Sequence, residues 1–163
     1  MTRSPRSPTA RRRPATRRNG HLRRLSKADQ ELVEAARAAI KARYRNDWQE
    51  VGAAMRTRDG RVVTGVNLDA YLGRMAVCAE AVALGRAVTD LGEGGIDTIV
   101  AVRHPKPTES DRHVAVVSPC GSCRELIWDY DRKARVIVPG KNGPTVASIE
   151  DLLPNKYRRE RNL

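Results

Sequence analysis

The three cysteines of this chain and one nearby glutamate fall in two short stretches, Cys78-Ala79-Glu80 and Pro119-Cys120-Gly121-Ser122-Cys123. Cys120 and Cys123 can reach one metal from a single turn, and Cys78 supplies a third thiolate from elsewhere in the chain. Three thiolates suit one Zn²⁺ per chain and leave its fourth tetrahedral position open for water, as catalytic zinc sites do. Glu80, two residues after its cysteine, lies close to such a metal without being needed as a ligand. A carboxylate there can take a proton from the water and return it to a substrate. The chemistry is metal-assisted hydrolysis, and it needs no organic cofactor.

Other uses of these residues fit the pattern less completely. Cys120 and Cys123 could form a redox pair, a reading that leaves Cys78 and Glu80 unexplained. A structural zinc site would need a fourth protein ligand, with His104 or His113 the available ones. A disulfide framework fits poorly with an odd cysteine count and with the lack of an apolar signal-peptide core.

The elements that must position these groups are legible in the spacing. Ser26, with Asp29 three residues on, caps a helix whose apolar positions are Leu32, Val33, Ala36, Ala39 and Ile40. Val51 to Met55 and Arg61 to Val66 read as strands about a turn at Asp59-Gly60. A second helix begins near Cys78 and is expected to bury Val82, Leu84 and Val88. Ile96 to Val102 and His113 to Val117 are strands, a third helix begins at Cys120, Arg135 to Val138 is a strand, and a short helix starts near Ser148. Alternating strands and helices predict an α/β fold, a three-layer α/β/α sandwich on a mixed sheet of about five strands. Both cysteine stretches then lie at helix N-termini, where backbone N–H groups and the helix dipole favour thiolates.

The stretches Val77-Cys78-Ala79-Glu80 and Ser118-Pro119-Cys120-Gly121-Ser122-Cys123-Arg124-Glu125-Leu126-Ile127 resemble the cytidine deaminase superfamily. Within it they resemble the small three-cysteine branch that includes cytidine deaminases and blasticidin S deaminases. A Glu motif followed by P-C-x-x-C is the signature of such zinc deaminases. Weaker likenesses at Val51-Gly52-Ala53-Ala54, Thr64-Gly65-Val66-Asn67 and Asp151-Leu152-Leu153-Pro154 with Tyr157 extend the resemblance over residues 26–157. It implies hydrolytic deamination, with Glu80 carrying protons and backbone groups around Ala79 and Pro119 holding the leaving amine. Arg124 is the candidate cation beside the electron-rich thiolate cluster, because Ala81 stands where many relatives carry an arginine.

The resemblance also bears on substrate. Asn67 lies eleven residues before Cys78, the spacing at which cytidine deaminases bind the ribose hydroxyls, and Asp69 stands at their glutamate position. That favours free pyrimidine nucleosides, cytidine and deoxycytidine, and a role in pyrimidine salvage. The alternative is an antibiotic of the blasticidin S type or another amino-heterocycle. It draws on Ala81, on Gln49 where an aromatic is usual, and on Arg74 where a proline is usual. Tyr157 resembles the aromatic that this family places in a neighbouring subunit's active site, which implies a homotetramer.

Net charge separates the ends from the body. Residues 1–25 hold nine arginines and no acid, residues 158–163 extend a basic C-terminal end, and residues 26–155 are neutral within a chain of net charge +12. The first segment has too few apolar side chains to offset ordering entropy and reads as a disordered tail ahead of one domain, residues 26–157. An arginine tail binds nucleic acid weakly and in a salt-dependent way, if at all. A third reading, a nucleic-acid editing or binding protein, lacks the basic path to the pocket that single strands require. No stretch approaches the roughly 20 apolar residues of a membrane helix, so a cytoplasmic protein with no membrane partner is expected.

Overall fold

The computed structural model describes residues 25–92 and 95–157. The arginine-rich segment up to residue 24 and the basic end at 158–163 lie outside the described residues. Helix α1 (Lys27–Arg43) starts at Ser26, whose hydroxyl accepts from the Asp29 N–H at 3.1 Å. Strands β1 (Val51–Thr57) and β2 (Val62–Val66) form an antiparallel pair, and α2 (Ala79–Leu91) follows. Then come β3 (Ile96–Arg103), β4 (Ala115–Val117), α3 (Gly121–Tyr130), β5 (Arg135–Val138), β6 (Thr145–Ser148) and the short α4 (Ile149–Leu152).

The sheet runs β2-β1-β3-β5-β6, with β4 also paired to β3. It is mixed: β3 and β5 are parallel, and the other pairs are antiparallel. Side-chain alternation along the strands divides the core in two. Ala54, Val100, Val102, Val116 and Ile137 face α1, where Leu32, Val33, Ala36 and Ile40 are buried. Ala53, Met55, Ile99, Ala101, Val136 and Val138 face the other way, onto Ala83, Leu84, Ile127 and Trp128. This is the expected three-layer sandwich.

Several details differ from the sequence reading. Among the described residues the sheet has six strands, against an expectation of about five. The extra one, β6, is four half-buried residues, too short for a clear apolar alternation, and pairing with β5 defines it. Pairing with β3 also carries β1 on to Thr57, past an irregularity at Arg56/Thr57. Strand β4 begins at Ala115 and leaves out His113, whose N–H donates to Asp111 at 2.8 Å. Val88 was expected inside and is exposed, because Ala83, Leu84 and Ala87 form the buried stripe of α2.

Two glycines let the helices approach the sheet closely. A Cβ on Gly65 would lie 2.6 Å from the Ala83 nitrogen and 2.8 Å from the Ala79 oxygen. A Cβ on Gly52 would lie 2.7 Å from the Ala36 oxygen. Gly65 therefore sets how near the first turns of α2, with Cys78 and Glu80, can sit to β2. Among the described residues, no helix is long and apolar enough to cross a membrane.

Candidate metal centre and cleft

Cys78 is the N-cap of α2 and Cys120 the N-cap of α3, so two helix N-termini converge on one point. The Cys78 and Cys120 sulfurs are 3.6 Å apart, and all three Sγ atoms lie within 4.8 Å of one another. Two thiolates about 2.3 Å from a tetrahedral ion are separated by about 3.8 Å, so the spacing fits zinc. Cys120 Sγ also accepts from the Cys123 N–H at 3.5 Å, which points that sulfur toward the cluster. Among the described residues, no histidine or carboxylate joins the group of three. His104 stacks on Tyr44 at 3.9 Å, and His113 meets Arg37 at 3.2 Å. The fourth-ligand alternative therefore finds no support in the geometry.

Electrostatics oppose ionising all three thiols together. Burial, then the charges of Glu80 and Cys78, push the Cys123 thiol well above its ordinary range. Cys78 is raised by burial first and then by Cys120. In Cys120, burial also opposes ionisation, but the Cys123 N–H and the neighbouring thiols outweigh it and lower the pKa. A divalent cation at the centre of such a cluster inverts this balance and deprotonates its thiols.

Glu80, in the first turn of α2, is only 6% exposed. Burial raises its pKa, partly offset by its own backbone N–H and by the Cys123 thiol. A carboxyl shifted upward suits proton exchange near neutral pH. It lines a cleft of about 290 Å³ together with Val51, Asn67, Asp69, Val77, Ala79, Val117, Ser118, Cys78 and Cys120.

A profile of the cytidine and deoxycytidylate deaminase zinc-binding region matches residues 26–139. The chain belongs to this deaminase family. Family members are zinc-dependent hydrolytic deaminases, and Cys78, Cys120 and Cys123 are positioned to bind one metal ion. The chain is 47% identical to a blasticidin-S deaminase of Bacillus cereus over 135 residues, 83% of this chain and 96% of that protein. It is 35% identical to a cytidine deaminase of Mycobacterium tuberculosis over 107 residues, 66% of this chain and 71% of that one. The solved cytidine deaminase of Mycobacterium leprae superposes with a TM-score of 0.63 at 27% identity, covering 77% of this chain and 97% of that structure. That of Burkholderia pseudomallei gives 0.62 at 30% identity, covering 78% and 98%.

The deaminase cleft treats the remaining sequence candidates unequally. The Asn67 amide is engaged with backbone: Oδ1 accepts from the N–H groups of Glu50 and Val51, each at 2.9 Å, and Nδ2 donates to the Trp48 carbonyl at 2.9 Å. One amide hydrogen is left for a ligand. Asp69 is exposed at the cleft and accepts from the Ala70 N–H at 2.7 Å. Ala79 and Pro119 are buried beside the cysteines. Arg124 donates to the carbonyls of Pro119, at 2.9 Å, and Leu152, at 3.2 Å, so its guanidinium is bound to backbone oxygens next to the cluster. Tyr157 is 81% exposed. Ser118 enters the sequence reading only as the first residue of its motif, with no role of its own; it is a polar cleft residue directly before Pro119-Cys120, and its place at the end of β4 is the available signal.

Proposed function

We propose that this chain hydrolyses the exocyclic amine of a cytosine nucleoside and that its substrate is an antibiotic of the blasticidin S kind. The observation that carries the deamination is a buried carboxyl, Glu80, that lines one cleft with Cys78 and Cys120, two members of the three-sulfur cluster. The zinc held by Cys78, Cys120 and Cys123 would supply the Lewis acidity that makes water a nucleophile at neutral pH. Glu80 takes one proton from the attacking water and gives it to the ring nitrogen, then takes the second from the newly attached hydroxyl and gives it to the departing ammonia. Pro119 keeps one carbonyl lone pair beyond its bond to Arg124, and with Ala79 it holds the amine. Arg124 keeps Pro119 in place for that contact.

The choice of substrate rests on the 47% identity to the Bacillus cereus protein, over nearly all of its length. Ala81, Arg74 and the backbone-bound amide of Asn67 support it as well. Cytidine and deoxycytidine, the first choice from sequence spacing, form the second reading, because Asn67 and Asp69 do line the cleft. Exposed Tyr71, Leu72 and Met75 on the loop bordering the cleft, with Tyr157, support a homotetramer in which neighbours complete the site. Ammonia release from blasticidin S, cytidine, deoxycytidine and cytosine, compared as kcat/KM, tests the order. The proposal expects blasticidin S to lead, and a higher value for cytidine would overturn it.

A further inference from the structure

The residues just after α4 make contacts that the deamination chemistry does not use. Lys156 is only 6% exposed at its side chain, unusual for a lysine near a chain end. Its ammonium pairs with Glu125 and with Asp129 Oδ1, the latter at 3.1 Å, and lies 5.1 Å from the centre of the Trp128 ring. All three partners belong to α3, the helix whose first turn carries Cys120 and Cys123. Four residues earlier, the Leu152 carbonyl accepts from Arg124, which also holds the Pro119 carbonyl next to Cys120.

Helix α3 needs this support for electrostatic reasons. It has ten residues, a length at which a helix depends on tertiary contacts. Glu125 and Asp129 are four apart on one face, a like-charge pair that opposes the helix. Asp129 also lies in the last turn, where the dipole disfavours an acid, and that turn has no basic residue of its own. Lys156 supplies from outside the charge that this last turn lacks.

We propose that the segment from Leu152 to Lys156 is a strap that sets α3, with Lys156 and Arg124 as its positioning residues, and that retention of zinc depends on it. The strap fixes the helix at two places, at Arg124 in the first turn and at the Glu125/Asp129 face beyond it, and that first turn presents two of the three thiolates. Loosening it lets that turn shift, so zinc leaves faster although every ligand is intact.

The test is the rate at which zinc-loaded full-length protein gives up its metal to a chromogenic chelator at neutral pH. Lys156→Met, which keeps the apolar stem over Trp128, is expected to release zinc about tenfold faster, the scale on which groups behind metal ligands act. Lys156→Arg is expected to stay within about twofold of wild type. In a Glu125→Gln/Asp129→Asn background, Lys156→Met is expected to add less than about twofold, because its partners are already gone. Val33→Ala, which loosens the core on the opposite face of the sheet, is the control for general destabilisation. Zinc release at the wild-type rate from Lys156→Met would overturn the proposal. So would equally fast release from Val33→Ala at the same loss in Tm. Should Lys156→Met fail to fold, Lys156→Gln carries the same expectation.

Discussion

Asn67 Oδ1 accepts the Val51 N–H at 2.9 Å, and the Val51 carbonyl in turn accepts the Asn67 N–H at 3.0 Å. Two residues sixteen apart are thereby closed into a ring at the entry to β1, and both line the cleft. Asn67→Ala removes the acceptor for two backbone donors, Glu50 and Val51, and the donor to Trp48. A loss of about 1–3 kcal/mol in urea unfolding is expected. Asn67→Asp keeps the acceptor and should lose less. If Asn67→Ala were neutral to stability and harmed only cytidine turnover, ligand contact rather than wall-building would be its role.

Each cysteine of the cluster should be required for metal. Purified wild type is expected to hold one zinc per chain by elemental analysis. Single Cys→Ser changes at 78, 120 or 123 should each leave it substoichiometric, because three protein ligands are already the minimum of a catalytic zinc site. Full zinc content in any one of them would remove that residue from the ligand set.

Glu80→Gln should fold, retain zinc and lose turnover by about 10²–10⁴-fold, the usual range for a positioned proton carrier. The amide matches the carboxyl in shape but cannot exchange protons. Steady-state ammonia release measures it, and activity within about tenfold of wild type would assign the proton transfer elsewhere.

Acid sensitivity should trace in part to Asp29. Burial alone would raise its pKa, but hydrogen bonds from Arg56 and Ser26 and the charge of Arg135 outweigh burial and hold it below the ordinary carboxylate value. Arg56 and Arg135 donate to Asp29 Oδ1 at 2.8 and 2.9 Å. A carboxyl with a depressed folded pKa contributes stability that is present above its unfolded pKa of about 3.9 and is lost as pH falls through the folded value. Asp29→Asn is expected to cost roughly 1–3 kcal/mol at neutral pH and progressively less below about pH 4. Urea midpoints for both proteins from pH 7 to pH 2.5, about the range over which the carboxyl titrates, check the convergence. Parallel curves would mean that Asp29 does not titrate as described.

Removal of residues 1–24 is expected to leave Tm and ammonia release unchanged. Leu25 is better kept, since it packs against the α1 core and its carbonyl accepts from Gln30. Any RNA binding by the full chain should weaken steeply with salt and disappear with those residues, as expected for arginine–phosphate contacts. Filter binding at several salt concentrations checks this, and equal affinity without the segment would place a site on the neutral body.

The grouping of the three cysteines, with a glutamate beside them, was legible because local spacing fixes what they can reach. Cys120 and Cys123 share one turn, Glu80 follows Cys78 by two residues, and Ser26, Cys78, Cys120 and Ser148 stand as N-caps where residue type and apolar spacing placed helix starts. These are short-range properties, set by backbone geometry over three or four residues. The strands with strong apolar alternation were legible for the same reason. Long-range contacts decided the rest. β6 exists through pairing with β5, Val88 lies outside because α2 turns its alanines to the sheet, and the Asn67 amide is taken up by backbone across the β1 entry. Lys156 reads in the sequence as one more charge in a basic end. Only the return of the chain across α3 puts it between Glu125 and Asp129, since an ion pair across 31 residues depends on the path of the chain and has no signature in local spacing.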